Sequence, residues 1–189
     1  LSIDSVHEWT VEDAVRDLIQ NWLDNPNESL FEFNGDSLIL INKDTTLDAS
    51  ALVIGCSSKR NNDSQRGRHG DGLKSAMACL IREGIELTIY NGSTVWKPFS
   101  GYSNTFEQDV VIIEQFDCGY EDHDLTIDIK GLSEEQIENI KLNTLAFNDD
   151  YPVCHTTSKG NILLDDKYKG RIYCGGLYVS SVPDLDHGY

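Results

Sequence analysis

The decapeptide Gly67–Ala76, GRHGDGLKSA, places three glycines within six residues, just ahead of a lysine and an apolar-periodic segment. Glycines let a backbone approach phosphate oxygens, and the free N–H groups at the start of a helix attract anions. Two nucleotide-binding loops nearly fit. In the P-loop the Gly-Lys-Ser/Thr follows its spacer directly. Here Gly67 and Gly72 have the right separation, but Leu73 displaces Lys74 and Ser75 by one place. The dinucleotide fingerprint runs G-x-G-x-x-G, whereas Gly67, Gly70 and Gly72 follow the reversed order G-x-x-G-x-G. What survives is a general anion cradle, and the same residues also read as a glycine-rich surface turn. The densest basic cluster of the chain, Lys59, Arg60, Arg66, Arg68 and Lys74, surrounds this loop. In a chain of formal net charge −17 that placement points to an anionic ligand, against a chance cluster on a solvated loop.

A second pair capable of chemistry is Asp17 and Asn21, four residues apart in VEDAVRDLIQNWLD. On a helix that spacing stacks the two side chains on one face. Val15, Leu18, Ile19 and Trp22 form the apolar stripe beside them, Thr10 and Asp13 supply a capping box, and Asn25-Pro26 ends the helix.

These residues need a frame. SLFEFNGDSLILIN reads as two strands joined through Asn34-Gly35, ending at the polar turn Asn42-Lys43-Asp44. The long polar segment up to Gly72 is of a length often found in functional lids. A helix from Leu73 to about Arg82 follows, with Leu73, Met77, Leu80 and Ile81 as its buried side. IELTIYN, STVWKPFS, NTFEQDVVIIEQF and DLTIDIKG read as strands without intervening helices, hence an antiparallel sheet. SEEQIENIKLNTLAF reads as a helix capped by Ser133 and Gln136, and NILLDDKYKGRIYCGGLYVS as a closing hairpin. The tail VPDLDHGY reads as a linker. The expected class is α+β, a two-layer α/β sandwich of a mostly antiparallel sheet with helices on one face.

At 189 residues, with 39% hydrophobic and 25% charged residues, the chain suits one soluble domain with a real core. It lacks a membrane-spanning apolar run, and its acidity argues against direct nucleic-acid or membrane binding. Five scattered cysteines without a C-x-x-C pair argue against a disulfide framework or structural zinc and for a reducing cytosol, so a cytoplasmic location is expected.

Taken in order, an acidic residue and asparagine on an early helix, a hairpin with a polar turn, a Ser-Ser-Lys loop running into G-x-x-G-x-G, and a later strand carrying Thr126 resemble the GHKL ATPases. This is the Bergerat-fold group of gyrase, Hsp90, histidine kinases and MutL. The resemblance runs from about Val11 to Ile129 and is closest to the MORC and phage or bacterial Hsp90-like ATPases, including the phage rapid-lysis A type. It implies a single ATP-binding domain over residues 1–189, the N-terminal part of a longer protein, with ATP and Mg2+ as ligands.

By resemblance, Gly67, Gly70 and Gly72 hinge an ATP lid, Lys74 neutralises phosphate charge, and Leu73 and Lys59 belong to the ATP-binding set. Asp17 takes the place of the usual glutamate general base, one methylene shorter, and Asn21 that of the magnesium ligand. The adenine-reading motif departs from the family's Asp-x-Gly-x-Gly: Asn42 falls on the aspartate, both glycines are missing, and Asp44 substitutes if the register slips by two. Thr126 matches the threonine that supports the adenine pocket. The implied activity is slow ATP hydrolysis coupled to lid closure and homodimerisation, with an unidentified protein partner. Two other readings stand beside it: a nucleotide-sensing interaction module without turnover, and an acidic interaction domain that keeps only the fold.

Overall fold

The computed structural model describes residues 1–25, 27–48, 52, 72–119, 122–148 and 153–189. Gly67, Gly70, Lys59 and the rest of the basic cluster except Lys74 lie outside these residues. The chain divides into two compact units, Leu1–Gln136 and Ile137–Tyr189.

The first unit is a two-layer α+β sandwich, as the strand and helix patterns predict. Helix α1 (Val11–Leu23) opens with the expected box: Thr10 accepts from the Asp13 backbone N–H, and Asp13 accepts from that of Thr10. Its apolar stripe, Val15, Leu18, Ile19 and Trp22, is buried. Strands β1 (Ser29–Asn34) and β2 (Ser37–Asn42) follow, turning at Gly35 with φ +60°, a conformation glycine adopts without a Cβ penalty. Helix α2 (Gly72–Arg82) leads into β3 (Glu86–Asn91), β4 (Thr94–Ser103), β5 (Gln108–Asp117) and β6 (Leu125–Lys130).

The six strands lie in the order β1-β2-β6-β3-β4-β5, and every neighbouring pair is antiparallel. Side chains alternate between faces. Leu38 and Leu40 of β2, Ile127 and Ile129 of β6, Leu87 and Ile89 of β3, and Trp96 of β4 are all buried. Helix α2 is more enclosed than an amphipathic stripe requires: Ala76, Met77, Ala78, Cys79 and Leu80 are fully buried, and Lys74 is buried at 5% exposure. Leu73 and Ile81, expected in the core, are only half-buried. Small residues at 76, 78 and 79 let α2 pack against both α1 and the sheet.

Helix α3 (Glu134–Asn143) carries the expected Ser133–Gln136 box, with N–H···O distances of 2.8 and 3.2 Å. The second unit holds two hairpins rather than one. Strands β7 (Val153–Thr157) and β8 (Gly160–Leu163) pair with each other, as do β9 (Arg171–Cys174) and β10 (Leu177–Ser181). Its small core is Leu145, Leu163 and Tyr168. The tail does not behave as a linker. Leu163 and Gly188 exchange backbone bonds at 2.8 and 3.1 Å, and the Tyr189 N–H donates to Arg171. Gly188 is so close to Tyr168 that a Cβ would meet its backbone oxygen at 2.7 Å. Polar composition hid this anchoring, which is made by backbone groups.

Candidate functional site

Asp17 and Asn21 share the helix face predicted from their spacing. The Asn21 Nδ2 donates to Asp17 Oδ2 at 3.2 Å, which orients the amide and leaves its oxygen turned from the carboxylate. The same carboxyl oxygen faces the first residue of α2. A Cβ built on Gly72 would collide first with Asp17 Oδ2 and lie 2.7 Å from Cγ and 2.9 Å from Oδ1, so only a residue without one lets the carboxylate stand there. Lys74 follows in the first helical turn. Burying an ammonium to this degree is costly unless an anionic or acceptor group accompanies it. A carboxylate and an amide thus stand against a helix N-terminus, where the dipole favours negative charge.

The Asn42 side chain is buried at 4% exposure at the end of β2. Its Nδ2 donates twice, to the Trp22 carbonyl at 3.0 Å and to Ser29 Oγ at 2.7 Å. A carbonyl oxygen cannot donate, so these bonds fix which end of the amide is nitrogen. The Trp22 indole is held in turn, donating to the carbonyls of Leu30 and Ile41 at 3.0 Å each. Only the Asn42 oxygen is left to read a ligand.

Asp44 stands apart from that arrangement. It is exposed, with φ +47°, a left-handed conformation that aspartate tolerates better than most residues. Its backbone N–H donates to Asp124 Oδ1 at 3.0 Å, and Lys43 Nζ pairs with Asp124 Oδ2 at 2.7 Å. The Lys43 ammonium beside it holds the Asp124 carboxyl below its ordinary range, and the same hydrogen bond raises the lysine. Asn27 fastens this turn from below through Nδ2 to the carbonyls of Lys43 and Asp44.

Thr126 is not brought to the same face as Asn42. On β6 it alternates with buried Leu125 and Ile127, and its register partners are Ile41 and Tyr90. The residue level with Asn42 on β6 is Leu125, and on β3 it is Asn91. Register thus sets Thr126 on the sheet face opposite Asn42.

Three residues that sequence reasoning passed over shape this end of the sheet. Ser29 anchors Asn42, Asp124 anchors the 43–44 turn, and Asn91 grips Leu47 through both backbone groups, accepting at 2.6 Å and donating at 2.9 Å. Asn91-Gly92 carries a hairpin-turn signal, which accounts for the β3–β4 turn but conceals the side chain's second task.

No family model matches the chain, and none of the curated proteins matches it. Among solved structures it is similar to the ATPase region of Saccharomyces cerevisiae topoisomerase II, at 10% identity and TM-score 0.45 over 72% of this chain and 44% of that one. The same region bound to ICRF-187 (dexrazoxane) gives 10% identity and TM-score 0.44 with the same coverage. The chain therefore spans less than half the length of the structures it matches.

Proposed function

We propose that this chain is a Bergerat-type ATP-binding domain of the GHKL group, which hydrolyses ATP slowly with magnesium to drive lid closure and dimerisation. The observation that carries the reading is the Asp17 carboxylate, whose Oδ2 accepts from Asn21 and stands against Gly72 at the start of α2. It puts a proton acceptor, a hard oxygen donor and a helix N-terminus within one small volume.

The donor set fits magnesium, which binds few protein oxygens and keeps waters and phosphate oxygens as its remaining ligands. Asn21 would hold it through its amide oxygen, because the amide nitrogen is committed to Asp17. Bound there, magnesium supplies charge neutralisation for the phosphates. The remaining work belongs to the chain. Asp17 accepts the proton of the attacking water, Lys74 and the N–H groups of the first turn of α2 stabilise charge on the transferred phosphoryl group, and the Asn42 oxygen accepts from the amino group of adenine. Gly67 and Gly70 enter this proposal as lid hinges and Lys59 as a phosphate contact on sequence grounds, with Leu73 in the same ATP-binding set. We place the site in the first unit, with ATP and a second copy of the chain as its partners.

A second reading keeps the pocket and drops turnover. It is favoured by the short reach of Asp17, whose carboxylate is already occupied by Asn21. Thermal unfolding with ATP, ADP and GTP, with and without magnesium, tests the common premise: ligand at about a hundred times its Kd stabilises by about 2.7 kcal/mol. Phosphate release by the same protein and its Asp17→Asn variant then separates the two. Magnesium-dependent turnover lost in Asp17→Asn supports hydrolysis; tight binding with no release in either supports sensing. No stabilisation by any nucleotide would refute both.

A further inference from the structure

Strand β5 has the sequence of a strand covered on both faces. Its centre, Val110-Val111-Ile112-Ile113, is a continuous apolar run rather than the alternation of a half-solvated antiparallel strand. Its outer face nevertheless stays open. On β4, Trp96 and Pro98 are buried on the core side, so Val95, Lys97, Phe99 and Gly101 point the other way. Register sets Phe116, Glu114, Ile112 and Val110 beside them, and Tyr90 of β3 beside Val95. Tyr90, Phe99, Ile112 and Phe116 are 37–48% exposed. Two of them visibly join: a Cβ on Gly101 would collide with Ile112 Cδ1 and lie 3.8 Å from Phe99 Cε2. Glycine there lets both side chains lie flat across the sheet.

A contiguous exposed apolar patch marks an interaction site, whereas single exposed apolar residues do not. Charge decides what fits it. The chain carries −17 overall, yet the outer face of the β4–β5 hairpin holds one cation and one anion, Lys97 and Glu114. They are exposed cross-strand neighbours at its middle, and among the described residues neither forms an ion pair. A twofold axis running along the strands, between β4 and β5, sets β4 of one copy over β5 of the other. Lys97 of each copy then meets Glu114 of the other, Phe99 meets Ile112, and Val95 meets Phe116. The patch is complementary to itself in charge and in apolar character.

We propose that the outer face of β3–β5 is a homodimer interface, sheet against sheet, that forms without nucleotide. Facing sheets pack about 10 Å apart with their strands roughly aligned, the arrangement this axis produces. Ten-residue strands are about 34 Å long, and three strands about 14 Å wide. Two such faces cover about 1,000 Å², the lower end of specific interfaces, so a weak, reversible dimer is expected. The interface uses none of the residues assigned to ATP.

Sedimentation velocity of the nucleotide-free chain across the micromolar range tests this, with a reversible monomer–dimer equilibrium as the expected result. Lys97→Glu and Glu114→Lys each set like charges across the interface and weaken dimerisation about tenfold, because symmetry changes two pairs at once. Mixed in equal amounts they form a heterodimer in which every pair is again opposite in sign, and the affinity of the original chain returns. Both positions are exposed, so both variants fold, as their unfolding midpoints check. Phe116→Ser, also at an exposed position, weakens the dimer without altering any charge. A chain that stays monomeric throughout, a dimer that forms only with ATP, or one unchanged by these substitutions overturns the proposal. So does a mixture of the two charge variants that associates no better than either alone.

Discussion

The Asp17 carboxylate and the Gly72 Cα occupy adjoining space with no room for a methyl group between them. Asp17 is fixed by α1 and Gly72 by the start of α2, and the two helices pack along one another. The contact thus ties the candidate proton acceptor to the segment that follows the glycine-rich loop. Movement of that helix start changes the surroundings of the carboxylate directly.

Gly72→Ala tests this relationship. Alanine ordinarily stabilises a helix relative to glycine. Here its methyl group enters the carboxylate, and overpacking of this kind costs about 1–3 kcal/mol. The expected outcome is a lowered unfolding midpoint together with loss of any turnover. In an Asp17→Ala background the obstacle is gone, so Gly72→Ala should cost nothing there or be mildly stabilising. A double-mutant cycle by denaturant unfolding reads the coupling. Additive effects would show that the two residues do not press on each other.

Asp128 gives a pH dependence. Its Oδ1 is buried without a partner on the central strand β6, between Ile39 of β2 and Thr88 of β3. Burial raises its pKa above the ordinary 3.8, the Glu86 and Asp36 charges push it further up, and Lys130 pulls it back. The folded state therefore holds this proton more tightly than the unfolded chain does. Its contribution to stability is complete below pH 3.8 and is lost as pH rises through the higher folded value. Asp128→Asn should raise the unfolding midpoint at pH 7 and leave it unchanged near pH 3. An identical difference at both pH values would contradict the linkage.

The frame of the first unit was legible because its signals are local. Capping boxes at Thr10 and Ser133 and the Asn34-Gly35 turn were each realised. So was the four-residue spacing of Asp17 and Asn21. What was not legible depends on register and on backbone groups. Leu125 and Thr126 are both ordinary strand residues, and only the pairing with β2 and β3 decides which faces the helices. Asn42 was visible as an odd residue in its motif, but its partners, Ser29 and the Trp22 carbonyl, are 13 and 20 residues away. The hairpin at 153–163 was hidden by weak alternation, and the anchored tail by its polarity.

Thr126→Val separates residue type from register. The substitution removes a hydroxyl and keeps a β-branched shape suited to a strand. Because Thr126 lies on the face opposite Leu125, ATP affinity should stay within about twofold, less than the change expected from a lost hydrogen bond. A loss of tenfold or more, about 1.4 kcal/mol, measured by calorimetry would mean that this hydroxyl reaches the nucleotide and that the face assignment is wrong.

Asn42→Asp is the sharpest case, since it restores the residue that the resemblance leads one to expect. In isolation the carboxylate is a better acceptor for an adenine amino group than an amide oxygen. In this chain, however, the position is occupied by a donor: Asn42 Nδ2 bonds the Trp22 carbonyl and the Ser29 hydroxyl. An ionised aspartate has no proton for the carbonyl, so two acceptors would face each other at 3.0 Å in a buried site. Ser29 can turn its hydroxyl to donate, but Trp22 cannot adapt. The expected result is destabilisation by about 1–3 kcal/mol, with nucleotide affinity falling rather than rising. Adding Ser29→Ala should make matters worse, because it removes the one partner able to reverse its role. Equal stability with tighter ATP binding would mean that the amide does not hold the α1 terminus, and that Asn42 is simply a weakened aspartate.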